Sequence, residues 1–243
     1  MEGIYRIGNK NILIRSVCPN VHKMCRDYAA EGEADFSVET TQADIDYELE
    51  RSDEKDKRDG IIRTGKRPGY LEKLAVYRKI ARHMLDYDTF LFHGSAVCVG
   101  GEAYIFTALS GTGKSTHAAL WRELLGDRAV MINDDKPLIE VRDGKAIVYG
   151  TPYDGKHHLS TNMSAPLKAI CILERSKTNS IEQISANEAF PILYQQTYNT
   201  EDNAGVAKTL SLLNKLLPCC SFYRLHCNMD IEAARVAYEA MKG

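Results

Sequence analysis

The chain has 243 residues with a formal net charge of -2, and 44% of its residues are hydrophobic while 26% are charged. This composition is typical of a globular protein, and the near-neutral charge gives no reason to expect nucleic acid as a partner. No apolar run approaches the roughly 20 residues of a membrane-spanning helix and the N-terminus lacks an apolar signal core, so we expect no membrane association. The seven cysteines are odd in number and form no C-x-x-C pair, which predicts reduced thiols and a cytoplasmic location.

The first part of the chain predicts a small α/β region. Alternating apolar residues at 4–7 and 12–14 indicate a β-hairpin, and 19–30 has the pattern of a short helix. The stretch 49–68 is dense in charges of both signs, which is typical of a solvated loop or helix face, with a binding patch as the alternative. Apolar residues at helical spacing predict a helix over 70–87.

The rest of the chain alternates between strand and helix patterns and predicts a mixed α/β sheet. The predicted strands lie at 89–99, 103–108, 129–132, 137–141, 146–149, 168–173 and 222–225, and the predicted helices at 114–125, 187–198, 204–217 and 231–241. We therefore divide the chain into a small N-terminal α/β region at 1–88 and a larger domain at 89–243.

The most informative feature is a glycine-rich turn between a predicted strand and a predicted helix, with the sequence FTALSGTGKST from Phe106 to Thr116. Such a turn lets successive backbone N–H groups point at phosphate oxygens, and the following helix N-terminus adds partial positive charge. Lys114 would reach the β- and γ-phosphates of a nucleoside triphosphate, and Ser115 would ligate Mg²⁺. Ala108 stands where the full motif has its first glycine, and a strand-turn-helix without a ligand is the alternative. The residues expected to bind the nucleotide are Ser110, Gly111, Thr112, Gly113, Lys114, Ser115 and Thr116.

Two adjacent carboxylates, Asp134 and Asp135, follow the predicted strand 129–132. A triphosphate site needs a second metal anchor and a group that activates the nucleophile, and carboxylates serve both purposes. We expect one of the two to hold Mg²⁺ together with Ser115 and the other to accept a hydroxyl proton, and the sequence leaves the roles open. The alternative is a polar turn, because Asn-Asp-Asp is favourable turn chemistry.

A second polar loop, at 149–158, follows another predicted strand and is crowded with functional groups. Lys156 would clamp phosphate there and Asp154 would meet a metal or the acceptor, with a surface turn as the alternative. Zinc is disfavoured, because adjacent histidines point apart and no cysteine lies close enough to complete a cluster. Arg175, after the strand at 168–173, is a further candidate for an anion contact.

Three segments, Phe92-His93-Gly94, Leu109–Ser115 and Asp134-Asp135, resemble in their order and spacing the catalytic domain of HPr kinase/phosphorylase. The loop is also similar to that of ATP-dependent phosphoenolpyruvate carboxykinase, whose fold belongs to the same superfamily. The resemblance covers residues 90–175. It implies a mixed-sheet P-loop core of this type over the domain at 89–243.

The resemblance also implies roles for individual residues. Lys114 and Ser115 would bind Mg²⁺-ATP, an aspartate of the pair Asp134-Asp135 would be the base, and His93 would lie near the transferred phosphate. Gly94 beside the histidine permits close backbone approach, and the alternative for His93 is a structural histidine at a strand end.

The function that follows is an ATP- and Mg²⁺-dependent kinase that transfers the γ-phosphoryl group to a hydroxyl. The chain resembles the short, stand-alone HPr kinase-like proteins, some of which phosphorylate a hydroxyl on a peptide. The acceptor would be serine in a peptide or protein, or a small molecule. A homo-oligomer is possible, and the sequence does not decide the oligomeric state. The alternatives are a nucleotide-dependent binding module or switch with slow hydrolysis, and a lyase of the phosphoenolpyruvate carboxykinase type.

Overall fold

A computed structural model of the chain describes residues 1–58, 60, 65, 67–155 and 158–243. These residues divide into two compact units, Met1–His83 and Met84–Gly243. In the described part of the chain, no helix is both long enough and apolar enough to cross a membrane.

The first unit contains a small sheet with helices after it. Strand β1 (Glu2–Ile7) pairs antiparallel with β2 (Lys10–Arg15), as the alternating apolar pattern predicts, and β2 pairs parallel with β3 (Phe36–Glu39). The predicted helix at 19–30 is shorter in the structure, where α1 covers only Asn20–Met24 and a 3-10 turn follows at Arg26–Tyr28. The helix ends early because Ala29 adopts an extended backbone and pairs with Tyr5 of β1.

Two longer helices complete this unit, α2 (Gln42–Arg58) and α3 (Pro68–Met84). The charged stretch predicted at 49–68 is therefore helical up to Arg58, and residues 59, 61–64 and 66 lie outside the described residues. Glu72 of α3 is fully buried and accepts hydrogen bonds from the backbone N–H groups of Val17 and Cys18 and from the Thr40 hydroxyl. These three bonds compensate the cost of burying its carboxylate.

The second unit is a mixed α/β structure, as predicted from the alternating pattern. Its strands are β4 (Thr89–Leu91), β5 (Ser95–Val99), β6 (Glu102–Thr107), β7 (Ala129–Asn133), β8 (Leu138–Arg142), β9 (Lys145–Tyr149), β10 (Ser164–Arg175), β11 (Ser180–Ile184) and β12 (Ser221–Cys227). Within the described residues they form one sheet in the order β4-β8-β9-β10-β6-β5-β7, and β12 joins it by pairing with both β10 and β11. Its helices are α4 (Lys114–Leu125), α5 (Ala186–Gln196), α6 (Asn203–Leu216) and α7 (Ile231–Met241).

Strand directions determine which loops meet. Strands β6, β10 and β12 run parallel to one another, β5 runs antiparallel to β6, and β7 runs antiparallel to β5. The carboxyl ends of β6, β7 and β10 therefore lie at the same edge of the sheet as the amino end of β5. In α/β sheets, loops at the carboxyl ends of strands are the usual place for ligand sites.

Helices cover both faces of this sheet. On one face, the apolar residues of α5 and α6 pack with strand residues such as Ile105 and Ile170, and on the other, those of α4 and α7 pack with residues such as Phe106 and Cys171. Successive residues of a strand point to opposite faces, so both faces of a central strand must be apolar. This explains the continuous apolar runs of β6 and β10.

The strand predicted at 89–99 is wrong as a single element, because the structure interrupts it at residues 92–94. The backbone N–H groups there turn to other partners: Phe92 donates to the Pro137 carbonyl, His93 to the Gln196 carbonyl and Gly94 to the Asp135 carbonyl. Gly94 is needed at this break, since a Cβ atom would lie 3.0 Å from the Phe106 carbonyl oxygen and 2.9 Å from the Ile105 side chain. The close backbone approach expected at Gly94 is therefore confirmed.

Candidate functional site

The sheet edge described above carries most of the residues predicted to do chemistry. His93 and Gly94 precede β5, the glycine loop (Ala108–Gly113) follows β6, and Asp134-Asp135 follow β7. Strand pairing places Ser95 opposite Phe106 and Ala96 opposite Asn133. The His93-Gly94 segment, the glycine loop and the aspartate pair therefore leave neighbouring strands at the same edge of the sheet. The sequence-predicted segments, which are far apart along the chain, are thus brought to one edge.

The glycine loop leads directly into α4, which begins at Lys114 as predicted. Gly113 is the N-cap residue with φ of 122°, a conformation that side-chain-bearing residues rarely adopt. Because glycine has no side chain, the N-cap residue provides no acceptor for the N–H groups of the first turn. Ser115 and Thr116 are exposed on this turn. An uncapped helix N-terminus after a glycine turn suits an anion.

Lys114 is buried, with 9% of its surface exposed, and its Nζ donates to the Ala108 carbonyl at 3.2 Å. Burial lowers the pKa of Lys114, while the charges of Asp135 and Asp134 act in the opposite direction. The ammonium group thus lies within electrostatic range of both carboxylates. Among the described residues its hydrogen-bond acceptor is this one carbonyl, and an ammonium group has three donors, so others can reach phosphate oxygens.

Asp134 is the more buried of the two carboxylates, with 4% of its surface exposed. The Ser95 hydroxyl, at the start of β5, lies 3.0 Å from its Oδ1 and 3.2 Å from its backbone carbonyl oxygen. A Cβ atom added at Gly155 would lie 3.0 Å from Oδ2 of Asp134, so the loop at 149–158 passes close to this carboxylate.

Asp135 is more accessible and is paired with a histidine. Its Oδ1 lies 3.3 Å from Nε2 of His93 and its Oδ2 lies 3.6 Å from Nζ of Lys136, and 31% of the Asp135 side chain and 36% of the His93 side chain are exposed. Burial acts to raise the pKa of Asp135, but the hydrogen bond from His93 and the charges of Lys136, His93 and Lys114 hold it below its ordinary value. The carboxylate is therefore ionised at neutral pH and able to accept a proton.

The turn that carries both carboxylates is organised by Asn133, which is fully buried. Its Oδ1 accepts hydrogen bonds from the N–H groups of Asp135 (2.9 Å) and Lys136 (2.6 Å), and its Nδ2 donates to the carbonyls of Thr151 and Tyr153. The polar turn considered as the alternative is thus present, and it is the turn that presents the carboxylates.

Sequence reasoning missed several residues that position the site. Asn133 could have been found, because asparagine at a strand end before two further polar residues is typical of a side-chain-to-backbone turn. Thr107 donates from its hydroxyl to the His93 carbonyl at 3.0 Å, and Gln196 contacts the His93 ring. No local pattern marks these two, because their partners lie far away along the chain.

The loop at 149–158 is described only in part. Lys156, predicted to clamp phosphate, lies outside the described residues. Asp154 bonds within its own loop, with Oδ1 at 3.0 Å from Nδ1 of His158 and Oδ2 at 3.2 Å from the Ser160 hydroxyl. These contacts are local, and no contact joins Asp154 to Asp135 among the described residues.

Arg175, at the end of β10, contacts the glycine loop directly. Its guanidinium donates to the carbonyls of Gly111 and Thr112. Arg175, a candidate for an anion contact, thus lies against the loop that is predicted to bind phosphate. In the structure it orders the loop through backbone carbonyls.

A cleft of about 590 Å³ adjoins the glycine loop on the side of β10 and α5. Its apolar wall includes Leu109, Ile172 and Ile192, and its polar lining includes Arg175 and Arg224. The volume falls within the range of small-molecule sites, which are mostly apolar with a few polar groups.

The oxygen donors of the edge suit Mg²⁺. This ion binds one or two carboxylates and keeps several waters and substrate phosphate oxygens, so Asp134, Asp135 and the Ser115 hydroxyl supply the right donor chemistry. Among the described residues, no group of three or more His, Cys, Asp or Glu side chains is arranged as a self-sufficient metal site.

Neither a protein-family model nor a curated protein matches the chain. Among solved structures, it is similar to the HPr(Ser) kinase/phosphatase from Coxiella burnetii, with 8% sequence identity and a TM-score of 0.34. The matched region covers 63% of this chain and 99% of that one. The similarity is a distant structural one, and it assigns neither a family nor an activity.

Proposed function

We propose that the chain is an ATP- and Mg²⁺-dependent kinase that transfers the γ-phosphoryl group of ATP to a hydroxyl of a peptide, a protein or a small molecule. One observation carries the proposal: a glycine loop with a buried lysine and a histidine-paired aspartate lie together at one edge of the sheet. Each part is common alone, but their combination serves phosphoryl transfer.

The glycine loop and Lys114 would bind the triphosphate. The uncapped first turn of α4 presents N–H groups, Lys114 adds a positive charge that neighbouring carboxylates keep in place, and the adjoining cleft would hold the nucleoside. Arg175 already touches the loop and would exchange its carbonyl contacts for phosphate oxygens.

Ser115 and Asp134 would hold the Mg²⁺, which when bound neutralises charge on the phosphates. Asp134 suits this role because Ser95 fixes one of its oxygens and it lies within electrostatic range of Lys114. The more accessible Asp135 suits the role of base, since it is ionised at neutral pH and its neighbours hold it in place.

In the transfer step, the acceptor hydroxyl oxygen forms a bond to the γ-phosphorus. The bond from that phosphorus to the β,γ-bridging oxygen breaks, and its electron pair leaves with ADP. The hydroxyl proton passes to the Asp135 carboxylate. His93, held between Asp135 and Gln196, would keep Asp135 in position beside the transferring group.

The test uses γ-labelled ATP with Mg²⁺ and a panel of serine-, threonine- and tyrosine-containing peptides, with glycerol and water as small acceptors. We expect labelled product with the wild type and a fall in kcat of about 10²- to 10⁴-fold in Asp135→Asn, the range for loss of a general base. Asp127→Asn is the matched control, because Asp127 is exposed in the turn after α4; its rate should equal that of the wild type.

The other outcomes separate the alternatives. Tight nucleotide binding without transfer to any acceptor or to water would contradict the kinase and favour a nucleotide-dependent switch. Nucleotide turnover that requires oxaloacetate would instead favour a lyase. Unchanged transfer in Asp135→Asn would remove Asp135 from the mechanism.

A further inference from the structure

Gln196, the last residue of α5, contacts His93 twice. The Gln196 backbone carbonyl accepts a hydrogen bond from the His93 N–H at 2.8 Å, and its side-chain Oε1 lies 2.8 Å from Nδ1 of the His93 ring. Gln196 is 7% exposed, and the next residue, Thr197, pairs with Phe92 as an isolated β-bridge. The end of α5 therefore holds both the backbone and the ring of His93.

The side-chain contact determines which ring nitrogen is available to the site. An amide oxygen only accepts hydrogen bonds, so the Nδ1 that faces it carries a hydrogen. The other nitrogen, Nε2, donates to the Asp135 carboxylate across 3.3 Å, so both ring N–H groups have an acceptor. The partner of one imidazole nitrogen sets the orientation of the other, and such outer partners commonly matter for activity.

We propose that Gln196 is a positioning residue for the pair of His93 and Asp135. It holds the imidazole with Nε2 directed at the Asp135 carboxylate, and it does so without touching the substrate. The inference rests on the proposed function, because it assigns a consequence for turnover to a pair that acts in phosphoryl transfer.

The position of Gln196 explains why a residue so distant in sequence takes this role. Helix α5 packs on the sheet through Ala189 and Leu193, which are fully buried. Its capping box at Ser185 and Glu188 fixes the opposite end. The Gln196 Oε1 that orients His93 therefore lies at the end of a well-anchored helix, α5, and an anchored helix can position a side chain precisely.

The test compares Gln196→Met, which keeps the length of the side chain but removes the acceptor, with Gln196→Glu, which keeps an acceptor oxygen. We expect Gln196→Met to lower kcat for ATP turnover by about 10- to 100-fold, as is typical when an orienting partner is lost, while KM for ATP changes less than about twofold. Gln196→Glu should recover most of that rate. The matched control is Gln183→Met, on the exposed side of β11, whose rate should equal that of the wild type.

A second measurement does not depend on turnover. In ¹H–¹⁵N spectra of the His93 ring, the hydrogen on Nδ1 should exchange slowly with water in the wild type and in Gln196→Glu, and rapidly in Gln196→Met. If Gln196→Met does not fold, Gln196→Asn withdraws the oxygen by one methylene and is expected to show the same changes in kcat and in the spectrum.

Two results would overturn the inference: a kcat in folded Gln196→Met within about twofold of the wild type, or equal losses in the Met and Glu variants. The proposed function is tested separately. It fails if the wild type transfers no phosphoryl group, whereas unchanged transfer in Asp135→Asn removes only Asp135 from the mechanism. In either case the ring spectrum still reports whether Gln196 orients His93.

Discussion

Replacing His117 with leucine should make the second unit markedly more resistant to acid. His117 lies on the first turns of α4, is 2% exposed and packs edge-on against the ring of Phe106 with centroids 4.7 Å apart. Neither of its ring nitrogens has a hydrogen-bond partner in the described part of the chain. Burial lowers the pKa of His117 to about 4, so the imidazole is neutral in the folded protein.

The magnitude follows from the difference between the folded and unfolded pKa values. An unfolded histidine titrates near 6.5, so between pH 6.5 and about 4 the unfolded chain binds a proton that the folded protein does not. The free energy of unfolding therefore falls with decreasing pH, by about 2 kcal/mol from neutral pH to pH 5 and by about 3 kcal/mol at pH 4. Leucine cannot take up this proton. At neutral pH the change should be small, because relief of an unsatisfied polar group offsets the lost ring contact.

The assay is urea unfolding at neutral pH and at pH 5, followed by the fluorescence of Trp121. This residue is the only tryptophan of the chain and lies one turn after His117, fully buried, so it reports on the unit that holds the histidine. We expect the wild type to lose about 2 kcal/mol more than His117→Leu on acidification. Parallel losses in the two proteins would refute a buried neutral imidazole at this position.

Three further predictions concern the glycine loop and its supports. Lys114→Met should weaken Mg²⁺-ATP binding by about 10- to 100-fold, because a charge-assisted hydrogen bond to phosphate is lost. Titration with a fluorescent ATP analogue measures this affinity. The control variant Lys168→Met, which loses only a surface ion pair with Glu102, should bind the analogue as the wild type does. Gly94→Ala should lower kcat and reduce the free energy of unfolding by about 1–3 kcal/mol, because the added Cβ would displace the backbone before β5. If kcat and stability equal those of the wild type, residue 94 does not lie as close to the Phe106 carbonyl as the structure indicates. Trp121→Ala should lower the free energy of unfolding of the second unit by about 3–5 kcal/mol, since it removes a fully buried ring that packs on Phe106. Urea unfolding followed by circular dichroism measures this loss. A loss below about 1 kcal/mol would mean that α4 does not depend on this packing.

The elements that sequence reasoning predicted best are those whose signals are local. Helix α4 has the predicted bounds, because a glycine turn precedes it and Gly126 follows it, and α7 also ends where its apolar spacing ends. Strands β3 and β11 were missed for a physical reason. Strand β3 shows the apolar alternation over only four residues, and β11 is largely exposed and has no regular alternation.

The break between β4 and β5 could not be predicted from the residues around it. The run 89–99 is mostly apolar on either side of His93 and Gly94. It is interrupted because three distant carbonyl groups compete for its N–H groups. Local patterns do not carry such information, since the partners come from other loops and from the end of α5. The same limit applies to Gln196, whose partner lies 103 residues away.

The arrangement of the site depends on strand register, which links the fold to the proposed chemistry. Ser95 at the start of β5 holds Asp134 after β7, and Thr107 at the end of β6 holds His93 before β5. Each of these bonds joins two neighbouring strands. A slip of one residue between β5 and β7 would break the first bond, and a slip between β5 and β6 would break the second. The apolar pattern that buries the central strands on both faces thus also sets the positions of the two carboxylates and the histidine.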